Sequence, residues 1–237
     1  GCGALGMRVA RRWIAAGDQV WGTTRSRQEL LIEAGIVPIV VDLGSDRLPA
    51  LPEVDTVFWA VGFDRRSETT PHDLHVGGLA RLLDAVPSAV RVLLSSSTGV
   101  WGDGDGELVD EQTPVCPSRP SAAALVEAET MLRRHPKGPG VALRFAGLYG
   151  PERLPRLDDL RAGREITADP ASWLNLIHLD DAASVVCWAG DAAAPAPLYV
   201  VSDGRPLRRG DWYTRLAEMT TSPSPRFVAT AAAARGG

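Results

Sequence analysis

The sequence predicts an α/β fold: a doubly wound parallel sheet with helices on both faces and a smaller C-terminal lobe. Three observations predict it. Apolar, β-branched runs of strand length alternate with helical patterns over most of the first 146 residues. Those runs are continuously apolar, as strands buried on both faces are. Past residue 150 the alternation loosens into short irregular segments. The chain therefore divides at residues 1–146, the sheet domain, and 147–237, a lobe that threads back onto the sheet.

The elements follow in order. GCGALG (1–6) opens the helix MRVARRWIAA, with Gly17 as its C-terminal stop. QVWGT (19–23) reads as a strand, and SRQELLIEA as a helix with a capping box of Ser26 and Glu29. GIVPIVVDL is strand-like, and VDTVFWAV (54–61) is a short buried run. An amphipathic helix, PHDLHVGGLARLLDAV, leads to the strand VRVLLSS. Helix PSAAALVEAETMLRR and strand GVALRFAGLYG come next. GPERLPRLDDLRAG and the irregular REITADPASWLNLIHL are followed by the helix DDAASVVCWAG and the strand PLYVVSD. A glycine-rich turn needs a strand to lead into it, so the natural chain is expected to begin earlier, with an apolar strand of about five residues. The tail ATAAAARGG reads as a segment cut short.

Composition bounds the function classes. With 45% apolar and 23% charged residues, the 237-residue chain has the balance of a globular protein with a core. A net charge of −4, a pI near 5.6 and the lack of any basic cluster give no reason to expect a nucleic-acid partner. No apolar run approaches the roughly 20 residues needed to cross a bilayer, and no signal peptide is visible, so no membrane partner is expected. Cys2, Cys116 and Cys187 are few and scattered. They read as reduced thiols of a cytoplasmic protein, without metal-ligand spacing. A homodimer stays open.

Gly1, Gly3 and Gly6 fit G-x-G-x-x-G at the opening of a helix, the dinucleotide-binding turn of the Rossmann arrangement. The first permits a tight turn, the second lets backbone approach a pyrophosphate, and the third lets helix and strand pack. Ala4 and Leu5 place further N–H groups at the helix start, where phosphates bind. Glycines also serve plain turns; the βαβ pattern that follows favours the cofactor. Dinucleotide specificity is read about 20 residues on, at the end of the second strand. GTTRSR there holds no carboxylate for ribose hydroxyls. Arg25 and Arg27, with Thr23 and Thr24, suit a 2′-phosphate instead, which favours NADP(H) over NAD(H); either arginine also reads as a solvated surface residue, Arg27 more readily than Arg25.

Taken together, GCGALG, the VVDL strand end, SSSTGVWG, LRFAGLYGP, NLIHLDD and VVSDG resemble the short-chain dehydrogenase/reductase superfamily. The resemblance is to its extended branch of NAD-dependent epimerase/dehydratases, the nucleotide-sugar epimerase-like proteins, and it runs nearly end to end. It implies that Asp42 and Leu43 border the adenine, and that Ala60, Val61, Gly62 and Ser95 lie along the cofactor. It brings the turn Tyr149–Pro151 toward the nicotinamide and uses Asn175 and His178 to join the lobes, with His178 structural. In this family a serine at the end of a central strand works with a tyrosine and a lysine spaced Y-x-x-x-K on the next helix. Ser97 falls on the serine position. Ser121 and Leu125 fall on the other two, and neither titrates near neutral pH.

His75 stands where the family sometimes has an asparagine. The single lysine, Lys137, lies in the loop beyond the helix and is expected at the surface. A rebuilt relay would use Tyr149 or His75 with an arginine. Two functions stay open: an atypical NADP(H)-dependent oxidoreductase or epimerase acting on a carbonyl or nucleotide-sugar-like substrate, and a non-catalytic NADP(H)-binding sensor or scaffold.

Overall fold

A computed structural model describes residues 1–44, 47–63, 68–87, 89–102, 106–135 and 140–228. The first half runs α1 (Ala4–Ala16), β1 (Trp21–Thr24), α2 (Gln28–Glu33), β2 (Val37–Val40), β3 (Thr56–Trp59), α3 (Gly78–Ala85) and β4 (Arg91–Ser97). A π-helical turn, Asp73–Gly77, leads into α3, and a 3-10 turn, Thr98–Trp101, follows β4. Then come α4 (Pro120–Arg134), β5 (Gly140–Phe145), β6 (Gly147–Tyr149), α5 (Leu157–Arg161), β7 (Glu165–Thr167), β8 (Trp173–Leu174) and β9 (Leu176–His178). The remainder is α6 (Leu179–Asp191), β10 (Leu198–Val201), β11 (Leu207–Arg208), α7 (Arg209–Met219) and β12 (Arg226–Val228).

Strands β3, β4, β5 and β10 form one parallel sheet, in the order β10-β5-β4-β3. Its register pairs Trp59 with Leu94, Ser97 with Phe145, and Phe145 with Val201. Strands β1 and β2 form a second parallel pair. This is the doubly wound arrangement expected from the alternating pattern.

Alternation within each strand decides the layers. Leu93, Leu143 and Phe145 point to one face, where they pack with Leu5 and Val9 of α1 and Ala182 and Val186 of α6. Val92, Leu94 and Ala142 point to the other, against Leu79 and Leu82 of α3 and Ala128 and Leu132 of α4. Both faces are covered, so both sets of side chains are apolar. Helix α1 ends as expected at Gly17, which is left-handed; Gly17 N–H donates to Ile14 and Asp18 N–H to Trp13.

Three local expectations change. The capping box of Ser26 and Glu29 does not form: α2 begins at Gln28, Arg27 is its N-cap, and no side chain caps it. Thr24 instead holds the loop before the helix, its Oγ1 accepting from Arg27 N–H at 2.9 Å and Ser26 N–H at 3.4 Å. The run GVALRFAGLYG divides into β5 and β6 because the backbone changes partner: Ala146 N–H donates to Val201 and Gly147 N–H to Asn175. The segment read as irregular, REITADPASWLNLIHL, contains β7, β8 and β9, each too short to show a period. Strand β7 pairs with β12, and Leu160, Ile166, Tyr213 and Leu216 form the lobe's own small core. Helix α6 and strand β10 return to the main sheet. The expectations for Lys137 and for the alanine-rich tail lie outside the described residues. Among the described residues, no helix is long and apolar enough to cross a membrane, and no cluster of three or more His, Cys, Asp or Glu could hold a metal ion.

One polar group interrupts the apolar layer between the sheet and α4. Ser96 and Arg144 face one another in the β4–β5 register, with Glu129 of α4 above them. Ser96 Oγ donates to Glu129 Oε1 at 2.5 Å, and Arg144 donates Nε at 3.0 Å and Nη2 at 2.7 Å to the two carboxylate oxygens. All three residues are about 5% exposed, and the guanidinium lies 4.8 Å over the Trp101 ring. Removing one partner of a buried pair strands the other charge, at a cost of about 3–5 kcal/mol. Glu129→Ala should therefore lower unfolding stability by that amount in urea titrations. The double change Glu129→Met with Arg144→Met, which buries no charge, should recover most of the loss. A Glu129→Ala protein within about 1 kcal/mol of the parent would show that the pair does not hold α4 to the sheet.

Candidate functional site

Because the strands are parallel, their carboxyl ends open on one side of the sheet, where ligands of such folds bind. A cleft of about 320 Å³ lies there. Its floor is the turn of Gly1, Cys2 and Gly3. One wall is the end of β1, Thr23 to Arg27; the others are Val41, Asp42 and Leu43 after β2, and Ala60, Val61, Gly62 and Phe63 after β3. Thr69 and Leu74 close the rim.

The glycine-rich turn is held tightly. A Cβ on Gly6 would stand 2.2 Å from the Gly1 carbonyl oxygen, so only glycine lets α1 begin directly on the turn. Nothing lies within 4 Å of where a Gly3 side chain would start. Helix α1 has no side-chain cap and no acidic residue in its first turn, which leaves its N-terminal N–H groups without an intrahelical partner. Ala4, Leu5 and Gly6 stand behind the cleft rather than in its wall, and Leu5 is buried in the core between α1 and α6.

The β1 wall is cationic and carries no carboxylate. Arg25 is exposed and bonds to nothing among the described residues. Arg27, read from the sequence as a solvated side chain, instead donates Nη2 to the Cys2 carbonyl at 3.1 Å and ties this wall to the floor. Thr23 Oγ1 is buried in the same wall without a hydrogen-bond partner. Across the cleft, Asp42 Oδ1 accepts from Gly44 N–H at 2.9 Å. Burial raises the Cys2 thiol's pKa, which keeps the floor uncharged.

At the end of β4 the three serines have different surroundings. Ser96 belongs to the buried Glu129–Arg144 group. Ser95 is half-buried, points to the opposite face and does not line the cleft. Ser97 caps the 3-10 turn, its Oγ accepting from Gly99 N–H at 3.1 Å. That bond occupies a lone pair and leaves the hydroxyl hydrogen free to donate.

Among the described residues, the Ser97 hydroxyl is hydrogen-bonded only to the backbone of its own turn. Ser121 and Leu125 lie half-buried on the first turns of α4. His75, on the π-helical turn, is 6% exposed with Nδ1 unpartnered, and burial lowers its pKa so that the ring is held neutral. Tyr149 stands edge-on to His178 and Trp212, each ring centroid 5.3 Å away. Among the described residues, Ser97, His75 and Tyr149 form no hydrogen bond with one another. His178 caps α6 by accepting from Asp180 N–H at 3.2 Å, and the Asn175 carbonyl accepts from Gly147 N–H at 3.0 Å.

Two residues at this end escaped the sequence reading. Trp212 backs Tyr149 from α7. Arg119, the N-cap of α4, is exposed, bonds to nothing among the described residues, and places its Nη2 beside Gly99. No motif marks it: it is one arginine of 24, and only the fold brings it to Ser97.

Known proteins share this design. The chain is 29% identical to protein YeeZ of Escherichia coli (strain K12), over 96% of this chain and 84% of that one. A solved structure of a conserved protein from Silicibacter pomeroyi DSS is 28% identical, with a TM-score of 0.79 over 97% of this chain and 79% of the other. MoeE5, solved with UDP-glucose and NAD, has a TM-score of 0.77 at 22% identity over 96% of this chain and 83% of its own, a likeness of fold. The family model for NAD dependent epimerase/dehydratases matches residues 1–201, from the glycine-rich turn to the end of β10. The chain belongs to the NAD dependent epimerase/dehydratase family.

Proposed function

We propose that the protein is an NADP(H)-dependent oxidoreductase or epimerase that acts on a carbonyl or nucleotide-sugar-like substrate without the usual tyrosine and lysine. The observation that carries the reading is the cleft itself. Its floor is backbone with no side chain in the way, and its β1 wall presents an unpaired arginine and a buried threonine hydroxyl without a partner. Such a donor set fits a dinucleotide with a phosphate on its ribose. Gly1, Gly3 and the first N–H groups of α1 would hold the pyrophosphate, Arg25 with Thr24 the 2′-phosphate, and Asp42 and Leu43 the adenine side. Ala60, Val61 and Gly62 would line the path toward Ser97. When bound, the nicotinamide accepts or donates a hydride. NAD in MoeE5, on the same fold, supports the cofactor class, and its UDP-glucose supports a sugar-nucleotide-like substrate.

Within this reading, Ser97 donates its hydroxyl hydrogen to the substrate's carbonyl oxygen and orients it. It does not move a proton, because no base touches it. Ser121 and Leu125, at the positions where the family resemblance places tyrosine and lysine, favour a second reading, a protein that binds NADP(H) without turnover.

Two measurements test the assignment. A charge-assisted bond contributes about 1.5–3 kcal/mol, so Arg25→Ala should weaken NADPH binding roughly tenfold or more and leave NADH nearly unchanged. Calorimetric titration of both cofactors checks this; equal losses would refute the role given to Arg25. A positioned acid or base contributes about 10²–10⁴-fold. If none is present, Ser97→Ala should slow any carbonyl reduction by less than about tenfold, through lost orientation alone. The double change Ser121→Tyr with Leu125→Lys should raise that rate. Steady-state NADPH consumption decides it. A thousandfold fall on Ser97→Ala would reveal a relay and overturn the reading.

A further inference from the structure

Beyond the cofactor cleft, the Ser97 end holds two hydrogen-bond donors that both lie against Gly99. The side chain that Gly99 lacks would begin 3.3 Å from Ser97 Oγ and 3.5 Å from Arg119 Nη2. The hydroxyl and the guanidinium are therefore no more than about 7 Å apart, within reach of two oxygens of one small molecule that each accept a bond of about 2.7–2.9 Å. Among the described residues, neither donor is used. Ser97 accepts from Gly99 N–H and keeps its own hydrogen, and the Arg119 side chain bonds to nothing among the described residues. The arginine is launched from a fixed point, because its carbonyl accepts from both Ala122 and Ala123 N–H at 3.0 Å as α4 begins.

We infer that Arg119 is the specificity-determining residue of this site: it takes the anionic group of a substrate whose carbonyl oxygen is held by Ser97. The substrate class is then a carbonyl compound carrying a carboxylate or phosphate within a bond or two of the carbonyl, such as a 2-oxo acid or a hydroxyketone phosphate. This rests on the reading of Ser97 as the carbonyl-orienting residue. Chemistry supports an arginine for the task. Its guanidinium presents a planar fork of donors to an anion and stays charged at any working pH, although it cannot pass a proton. An exposed cation without a carboxylate partner, set beside a free hydroxyl, leaves both donors for an incoming acid. Gly99 keeps the gap open. Alanine there would put a methyl group between the two donors.

The test separates this inference from the cofactor assignment by measuring two affinities on the full chain. Oxamate, an unreactive mimic of a 2-oxo acid, and dihydroxyacetone phosphate are titrated calorimetrically with NADP⁺ present and absent, with acetone as the neutral control. Arg119→Ala and Arg119→Gln should weaken the anions at least tenfold, Arg119→Lys by less, and Gly99→Ala should weaken them with Arg119 intact. NADP⁺ affinity and melting temperature should not move, since Arg119 is exposed and outside the cofactor cleft. The ligand with the larger loss identifies carboxylate or phosphate as the natural group. Anion affinities that are equal in the parent and Arg119→Ala, or a parent that binds neither anion, would overturn the inference. Failure of NADP⁺ to bind would refute the cofactor assignment alone, because the anion titrations without cofactor still read Arg119.

Discussion

Burial of strands β3, β4 and β5 on both faces is the constraint from which the rest of this structure follows. A strand covered on one face needs apolar side chains at every second position, whereas one covered on both needs them throughout. Leu93 and Leu143 fill one layer and Val92, Leu94 and Ala142 the other, so the strands have no interior room for chemistry. Polar groups are pushed to the strand ends, and because the strands are parallel those ends share a side. The cleft, the three serines and Arg119 all lie there for that reason. A polar group kept between α4 and the sheet, Ser96 with Glu129 and Arg144, satisfies both carboxylate oxygens and fixes α4 against the sheet. Since α4 also carries Arg119, Ser121 and Leu125, this buried group sets where the site's α4 side chains begin.

How much of this the sequence revealed depended on the range of the interaction behind each feature. The strands VRVLL and GVALR and the helix PSAAALVEAETMLRR were legible because their apolar patterns are local and long enough to show a period. Helix α1 ended at Gly17 because a left-handed residue there is a local demand. The two-residue strands were not legible, since Leu174 and Leu207 pair across more than thirty positions and two residues have no period. The capping box failed for a related reason. Ser26 and Glu29 have the right spacing, but Thr24 at the strand end takes the Ser26 N–H that Glu29 would have reached.

The candidate site divides in the same way. Its glycine-rich floor was readable because steric demands fall on consecutive residues, and the crowding of Gly6 on Gly1 is such a demand. The partners of Arg27 and Arg119 were not readable. An arginine's reach is long and its rotamers many, so what it touches is decided by tertiary structure. The Arg27 side chain bonds the Cys2 carbonyl, and that of Arg119 bonds nothing among the described residues.

A serine and an arginine also differ from a tyrosine and a lysine in what they need from one another. Tyrosine and lysine act together because one titratable group lowers the pKa of the other, a coupling that needs both at close quarters. A serine with a free hydrogen and an arginine with a permanent charge need no such coupling. Each stabilises negative charge on an oxygen by a fixed bond, and neither depends on pH near neutrality. A site of this kind orients and discriminates well and transfers protons poorly. Any proton that must move would come from water, because an anion held by Arg119 is already deprotonated and the guanidinium keeps it so. Specificity for an acid and tolerance of a missing tyrosine are, on this argument, two consequences of one arrangement of donors.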